Sequence, residues 1–212
     1  MTQNDSAPTG TVTLVFTDIQ GSTMLWERFR ADFKELLDLH NAIIRKEIVA
    51  HEGYEVKTEG DAFMVAFSDA RRAVEFCLKS QENLHNASWP AKLIDPPELQ
   101  NIAGVSEDET FRGLRVRMGI HTGEPRCERD PMSGRMDYFG TAVNRAARVG
   151  GIGHGGQIVI SESSYSQDQD DIDGVVVTDL GLIPLKGLER PERIRQLLPG
   201  SLAERTFPSL KS

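Results

Sequence analysis

No apolar run in these 212 residues approaches the roughly 18 that a membrane-spanning helix requires, so this segment is expected to make no membrane contact. Cysteine is scarce. The two present, Cys77 and Cys127, stand in unrelated contexts without C-x-x-C spacing, which fits a reducing compartment rather than a disulfide scaffold. Positive charge is also in deficit: 24 Lys and Arg against 32 Asp and Glu give a net charge of -8, with none of the basic footprint that nucleic-acid binding needs. No nucleic-acid partner is expected. Met1 to Gly10 is polar rather than signal-like, and no internal repeat or low-complexity block interrupts the chain. What remains is a cytoplasmic chain long enough for one well-buried α/β domain and too short for two.

Hydrophobic periodicity lays out the elements. Thr11 to Thr17 reads as a strand, with Asp18 at its end. Gly21-Ser22-Thr23 turns into a helix that Ser22 or Thr23 is placed to cap, running to about Ala50. Glu55 to Thr58 and Ala62 to Phe67 form a hairpin around Glu59-Gly60, with Asp61 at its tip, and Asp69 to Asn86 is a second long helix. Ala87 to Arg112, rich in Pro and acids, reads as a surface insertion. Leu114 to Thr122 is a strand with Val116, Met118 and Ile120 on one face, and Gly123 to Arg135 a loop or extended arm. A short helix over Val143 to Val149 follows, then strands at Gln157 to Ile160, Val175 to Leu180 and Arg193 to Leu198, with a frayed tail from Pro199. The resulting boundaries are a tail over 1–10, one domain over 11–198 with its insertion at 87–112, and a tail over 199–212. The order strand, helix, strand, strand, helix, strand predicts an α+β fold with a ferredoxin-like βαββαβ core and added C-terminal strands.

Two carboxylates stand out. Asp18, in Val-Phe-Thr-Asp-Ile-Gln-Gly-Ser-Thr, and Asp61, in Val-Lys-Thr-Glu-Gly-Asp-Ala-Phe, each lie where a β-prone run meets a glycine turn. Either alone reads as a turn or cap residue. If the first strand lies beside the hairpin, both converge on one hard cation, while the amides of Gly21, Ser22 and Thr23 offer donors to phosphate oxygens. Asn144 and Arg148 are four apart and share a helix face, with Val143 and Ala147 packing inward on another. Such a pair is common on helix surfaces, but Asn has mediocre helix propensity, and the neighbouring alanines leave room for a ligand.

Five blocks in order carry a resemblance: Phe16-Thr17-Asp18-Ile19; Lys57-Thr58-Glu59-Gly60-Asp61-Ala62-Phe63; Arg117-Met118-Gly119-Ile120-His121-Thr122-Gly123; Asp137-Tyr138-Phe139-Gly140 with Val143-Asn144-Arg145-Ala146-Ala147-Arg148; and Leu185-Lys186-Gly187. Together they resemble the class III nucleotidyl cyclase catalytic domain from about Val12 to Leu198, most like fungal and kinetoplastid adenylyl cyclases. The resemblance implies that Asp18 and Asp61, with the Ile19 carbonyl, bind two magnesium or manganese ions. It implies that Lys57 and Asp137 read the purine, that Asn144 orients the ribose, that Arg148 bonds the phosphoryl group under attack, and that Lys186 binds the triphosphate. It implies ATP as substrate, since guanylyl cyclases replace the lysine by glutamate and the aspartate by a smaller residue. It also implies a homodimer, because the family's lysine and metal aspartates of one chain serve different active sites.

None of the five histidines is an evident general base, and His121 in its strand motif is expected to pack. Other readings remain open at this point: a guanylyl or dual-specificity cyclase, and a non-catalytic nucleotide-binding dimerisation module on the same fold. A palm-like polymerase or diguanylate cyclase lacks support, because no Gly-Gly-Asp-Glu-Phe-type loop or basic groove is present. With its first strand so close to Met1, the chain reads as the catalytic domain of a larger protein that carries regulatory or membrane-attaching parts.

Overall fold

A computed structural model describes residues 7–90, 111–165, 172 and 174–210. Most of the insertion expected at 87–112 therefore lies outside the described residues. Seven strands form one sheet: β1 (Val12–Ile19), β2 (Tyr54–Glu59), β3 (Ala62–Phe67), β4 (Val116–Gly123), β7 (Ile158–Ser161), β8 (Val175–Ile183) and β9 (Glu192–Pro199). Their spatial order is β2-β3-β1-β4-β7-β9-β8. Pairing is antiparallel except between β4 and β7. The first four strands, in spatial order β2-β3-β1-β4, are the expected ferredoxin-like core.

The centre of the sheet is covered on both faces, so β1 is buried along nearly its whole length instead of alternating with solvent. On one face Val15, Ile19, Phe63, Val65 and Phe67 pack with Phe33, Ile44, Phe76 and Cys77 from α2 (Ala31–Ala50) and α3 (Ala70–Asn86). On the other, Val12, Leu14, Met64 and Ala66 meet Met136, Tyr138 and Ala146. Those come from a ribbon of β5 (Arg126–Arg129) and β6 (Met136–Phe139) and from α4 (Thr141–Ile152). This second face carries the candidate site.

Three local expectations are corrected and a fourth is made definite. The helix after β1 is two helices, α1 (Ser22–Phe29) and α2, broken at Arg30 with φ 44° and ψ -108°. The break lets the Trp26 and Phe33 rings meet edge-on at 4.9 Å, whereas residues two turns apart on a straight helix are about 10 Å apart. Neither Ser22 nor Thr23 caps α1. Gly21 does so, with φ 74°, a left-handed conformation suited to glycine that starts the helix at Ser22 itself. The segment 123–135, expected as a loop or an extended arm, is an arm: Arg126–Arg129 pairs with β6, and Asp130 accepts from the Met132 and Ser133 amides at the turn between them. The tail beyond Pro199 is packed. A 3-10 turn (Gly200–Leu202) buries Leu202, and the buried Arg205 donates to Gln81 Oε1 at 2.9 Å and to the Gly156 carbonyl.

The remaining short helix, α5 (Glu162–Tyr165), follows β7. α4 crosses β4 at a glycine contact. A Cβ built on Gly119 would lie 2.2 Å from Gly150 Cα, and one on Gly150 would lie 3.2 Å from Phe16 Cβ. Two missing side chains let the helix that carries Asn144 and Arg148 sit directly on the sheet.

Candidate active site

The end of β1 is stitched residue by residue. Asp18 is the cross-strand partner of Arg117 on β4, so both point to the α4 face. Arg117 donates from Nε, at 2.8 Å, and from Nη2 to the same Asp18 oxygen, Oδ2, and from Nη1 to the Gly151 carbonyl at 3.3 Å. The Ile19 amide donates to Asp61 Oδ2 at 3.0 Å, which ties the β2–β3 tip to the strand end. The Gln20 amide donates to the Arg115 carbonyl, and Gln20 Oε1 accepts from the Gly155 amide at 2.6 Å. Gly21, Ser22 and Thr23 follow at once and open α1, whose first amides are orphan donors of the kind that hold phosphate oxygens.

Hard oxygen donors half open to solvent suit magnesium or manganese; the Asp18 side chain is 34% exposed. Among the described residues no group of three or more His, Cys, Asp or Glu side chains is placed to hold a metal. Two carboxylates, with waters and substrate phosphates completing the shell, make a sufficient set for such an ion. The guanidinium already seated on Asp18 is a direct sign that this oxygen attracts a cation.

A second pairing sits toward the β2 edge. Lys57 Nζ lies 3.7 Å from Asp137 Oδ1 and 3.9 Å from Glu59 Oε1. A register shift between Glu55 and Lys57 makes it possible: the extra residue, Val56, leaves Lys57 opposite Met64, whose side chain belongs to the α4-side core. Strict alternation from buried Tyr54 and Val56 would aim Lys57 at the other face. Asp137 is fixed by its own ribbon, its Oδ1 accepting from the Tyr138 amide at 2.8 Å. The ribbon is moored to β2 through the Met136 amide, which donates to Tyr54 Oη, and through Arg135, which donates to the Glu55 carbonyl and lies over the Tyr54 ring. Tyr138 is buried, which pushes its phenol above the usual range, and it donates to the Pro8 carbonyl at 2.8 Å.

The third group is on α4. Asn144 is exposed and Arg148 half-buried, one turn apart on a face turned from the core. The inward residues are Ala142, Ala146 and Val149; Ala147, expected inward, is exposed, because the close crossing at Gly150 rotates the helix toward the Ala146 side. The Arg148 guanidinium rests on the Leu185–Gly187 turn, where a Cβ on Gly187 would lie 3.4 Å from Nη2. Leu185 is buried with Val149 and Ile152 and pins that turn, which brings the exposed Lys186 to the neighbourhood of Arg148.

The structure thus gathers the candidate residues into three groups: Asp18 with Asp61 and the Gly21–Thr23 turn, Lys57 with Asp137, and Arg148 with Lys186. Arg117 is the residue that sequence reasoning passes over. An arginine between Val116 and Met118 marks the strand's α4 side, but only the β1–β4 register shows that it meets Asp18. His121 is buried with Nδ1 2.8 Å from Ser161 Oγ, and burial lowers its pKa to about 4, in keeping with a packing role.

The family model described as the adenylate and guanylate cyclase catalytic domain matches residues 5–198. An adenylate cyclase of Neurospora crassa is 37% identical over 94% of this chain, and a receptor-type adenylate cyclase of Trypanosoma brucei brucei is 35% identical over 98%. The chain spans only 10% and 18% of the lengths of these two relatives. A solved structure of a Trypanosoma brucei adenylate cyclase in its monomeric state superposes with a TM-score of 0.90 at 33% identity, covering 98% of each chain.

Proposed function

The chain belongs to the adenylate and guanylate cyclase catalytic-domain family, and on that footing we propose that it converts ATP to 3′,5′-cyclic AMP and pyrophosphate. The observation that carries the choice of ATP is the Lys57–Asp137 pair, 3.7 Å apart. Adenine presents a donor at its 6-amino group and an acceptor at N1. A carboxylate can accept the first while an ammonium donates to the second, and guanine reverses both. A mismatched base would leave polar groups of the pocket unpaired, which discriminates against it.

Residues 11–198 are the catalytic domain in this reading, acting as a head-to-tail homodimer. Lys57 and Asp61 lie four residues apart, yet one turns to Asp137 and the other to Ile19, which supports their serving different sites. One chain supplies Asp18, Asp61 and the Ile19 carbonyl; the second supplies Lys57, Asp137, Asn144, Arg148 and Lys186. A two-fold axis makes two such sites. Asp18 and Asp61 would hold two magnesium or manganese ions, whose charge would lower the pKa of the ribose 3′-hydroxyl and neutralise the triphosphate.

The chain's own residues orient and stabilise. Asn144 bonds the ribose and sets the 3′-oxygen in line with the α-phosphorus. Arg148, already laid against the Gly187 turn, meets the charge that grows on the α-phosphoryl oxygens. Lys186 and the Ser22 and Thr23 amides hold the departing pyrophosphate. The domain works on the cytoplasmic side, as one part of a longer signalling protein. No helix among the described residues is long and apolar enough to cross a membrane.

The test is direct. Purified chain with Mn2+ and ATP should release cyclic AMP, with specific activity rising as concentration favours the dimer. Silence across the concentration series overturns the proposal, and faster turnover of GTP would replace it with a guanylyl cyclase.

A further inference from the structure

We propose that Arg117 is the positioning residue of the metal site: it holds Asp18 as an internal counter-ion until a divalent cation takes its place. This rests on the reading of Asp18 as a metal ligand. Each carboxylate at the β1 end has its own donor, the Ile19 amide for Asp61 and Arg117 for Asp18. The two differ in kind. An amide can share its carboxylate with a metal, whereas a guanidinium directing Nε and Nη2 at Oδ2 occupies that oxygen and competes with a hard cation for the carboxylate's charge.

The pair is built to open. Both side chains are partly exposed, 26% for Arg117 and 34% for Asp18, so water and ions reach them and the pair is cheap to part. Arg117 also keeps its bond to the Gly151 carbonyl, which gives the guanidinium a second anchor when Asp18 leaves it. Without metal the fork holds Asp18 in one orientation. The same fork lowers the affinity of the empty site for metal. Lysine cannot reproduce this, because an ammonium lacks the planar geometry of two donors aimed at one oxygen.

The experiment uses the full chain without nucleotide. Mn2+ binding is titrated by electron paramagnetic resonance, and the Nε–H signal of Arg117 is followed by 15N nuclear magnetic resonance as Mg2+ is added. Arg117→Gln should bind Mn2+ roughly five-fold more tightly than wild type, the size expected for removing a partly exposed ion pair. Arg117→Lys, which keeps the charge, should fall between them, and it carries the test if the glutamine variant does not fold. In wild type the Nε–H signal should shift with Mg2+ along the same isotherm. Mn2+ binding by Arg117→Gln no tighter than wild type, or an Nε–H signal unmoved by saturating Mg2+, overturns the proposal. Asp18→Asn separates the two readings: if it leaves Mn2+ binding intact, the metal assignment has failed and not the counter-ion role alone.

Discussion

The α4 face of the sheet carries two cation–aspartate pairs, and they are built differently. Lys57 and Asp137 stand 3.7 Å apart, beyond hydrogen-bond range, each partly open and each with valences left over. Arg117 and Asp18 are in close contact through two donors. The loose pair comes from segments 80 residues apart, brought together by a bulge and a ribbon; the tight pair consists of cross-strand neighbours in a regular ladder. A loose pair can receive a base edge without first breaking anything. A tight pair has to be exchanged, which suits a site that answers to metal.

The comparison can be broken most completely at the tight end. Asp18→Ala or Asp61→Ala should reduce cyclic AMP formation below detection while leaving the far-ultraviolet circular dichroism spectrum unchanged. Turnover persisting in either variant would remove the metal assignment. Next in size is the platform under both pairs. Gly119→Ala would place a methyl 2.2 Å from the backbone of Gly150 and push α4 off the sheet. We expect a loss of about 3 kcal/mol or more in urea unfolding, with activity lost alongside. Gly151→Ala, where a Cβ meets open space, should be nearly neutral and serves as control.

At the loose end the expected effect is smaller and selective. Lys57→Glu with Asp137→Ser should lower the ratio of kcat/KM for ATP over GTP by roughly 100-fold, because both hydrogen-bonding polarities reverse together. An unchanged ratio would detach base choice from this pair. The effect that leaves activity least changed concerns stability and spares both pairs. His40, fully buried beneath the opposite face, has its pKa lowered by burial to about 4. The unfolded chain therefore binds more protons than the folded one between about pH 6.5 and 4, and stability falls as pH drops through that window. The loss is on the order of 3 kcal/mol at His40 alone. His121 behaves likewise, lowered to about 4 by burial and secondarily by Arg145. Thermal melts from pH 7 to pH 4.5 should show the decline, and His40→Gln should flatten it.

Strand ends and glycine turns make Asp18 and Asp61 legible in the sequence itself, because β-prone alternation and left-handed glycine are local properties. The ordered motifs then point to Lys57, Asp137, Asn144, Arg148 and Lys186. What a linear chain does not reveal is which face each one takes. The Val56 bulge shifts Lys57 from one side of the sheet to the other, and a one-residue irregularity leaves no compositional trace. Arg117 is hidden for the same reason, since cross-strand register is a property of two segments 99 residues apart. The break at Arg30 and the buried Arg205 likewise leave no periodic signal: the first brings the Trp26 and Phe33 rings together, and a carbonyl and Gln81 accept from the second.

The claim that each chain holds two halves of different active sites is tested most directly by mixing two silent variants. Asp18→Ala and Arg148→Ala should each be inactive alone. Mixed in equal amounts, half of the dimers would be mixed and each would hold one intact site of two, restoring about a quarter of wild-type activity. A mixture as silent as its components, in a sample shown by sedimentation to be dimeric, would contradict the account.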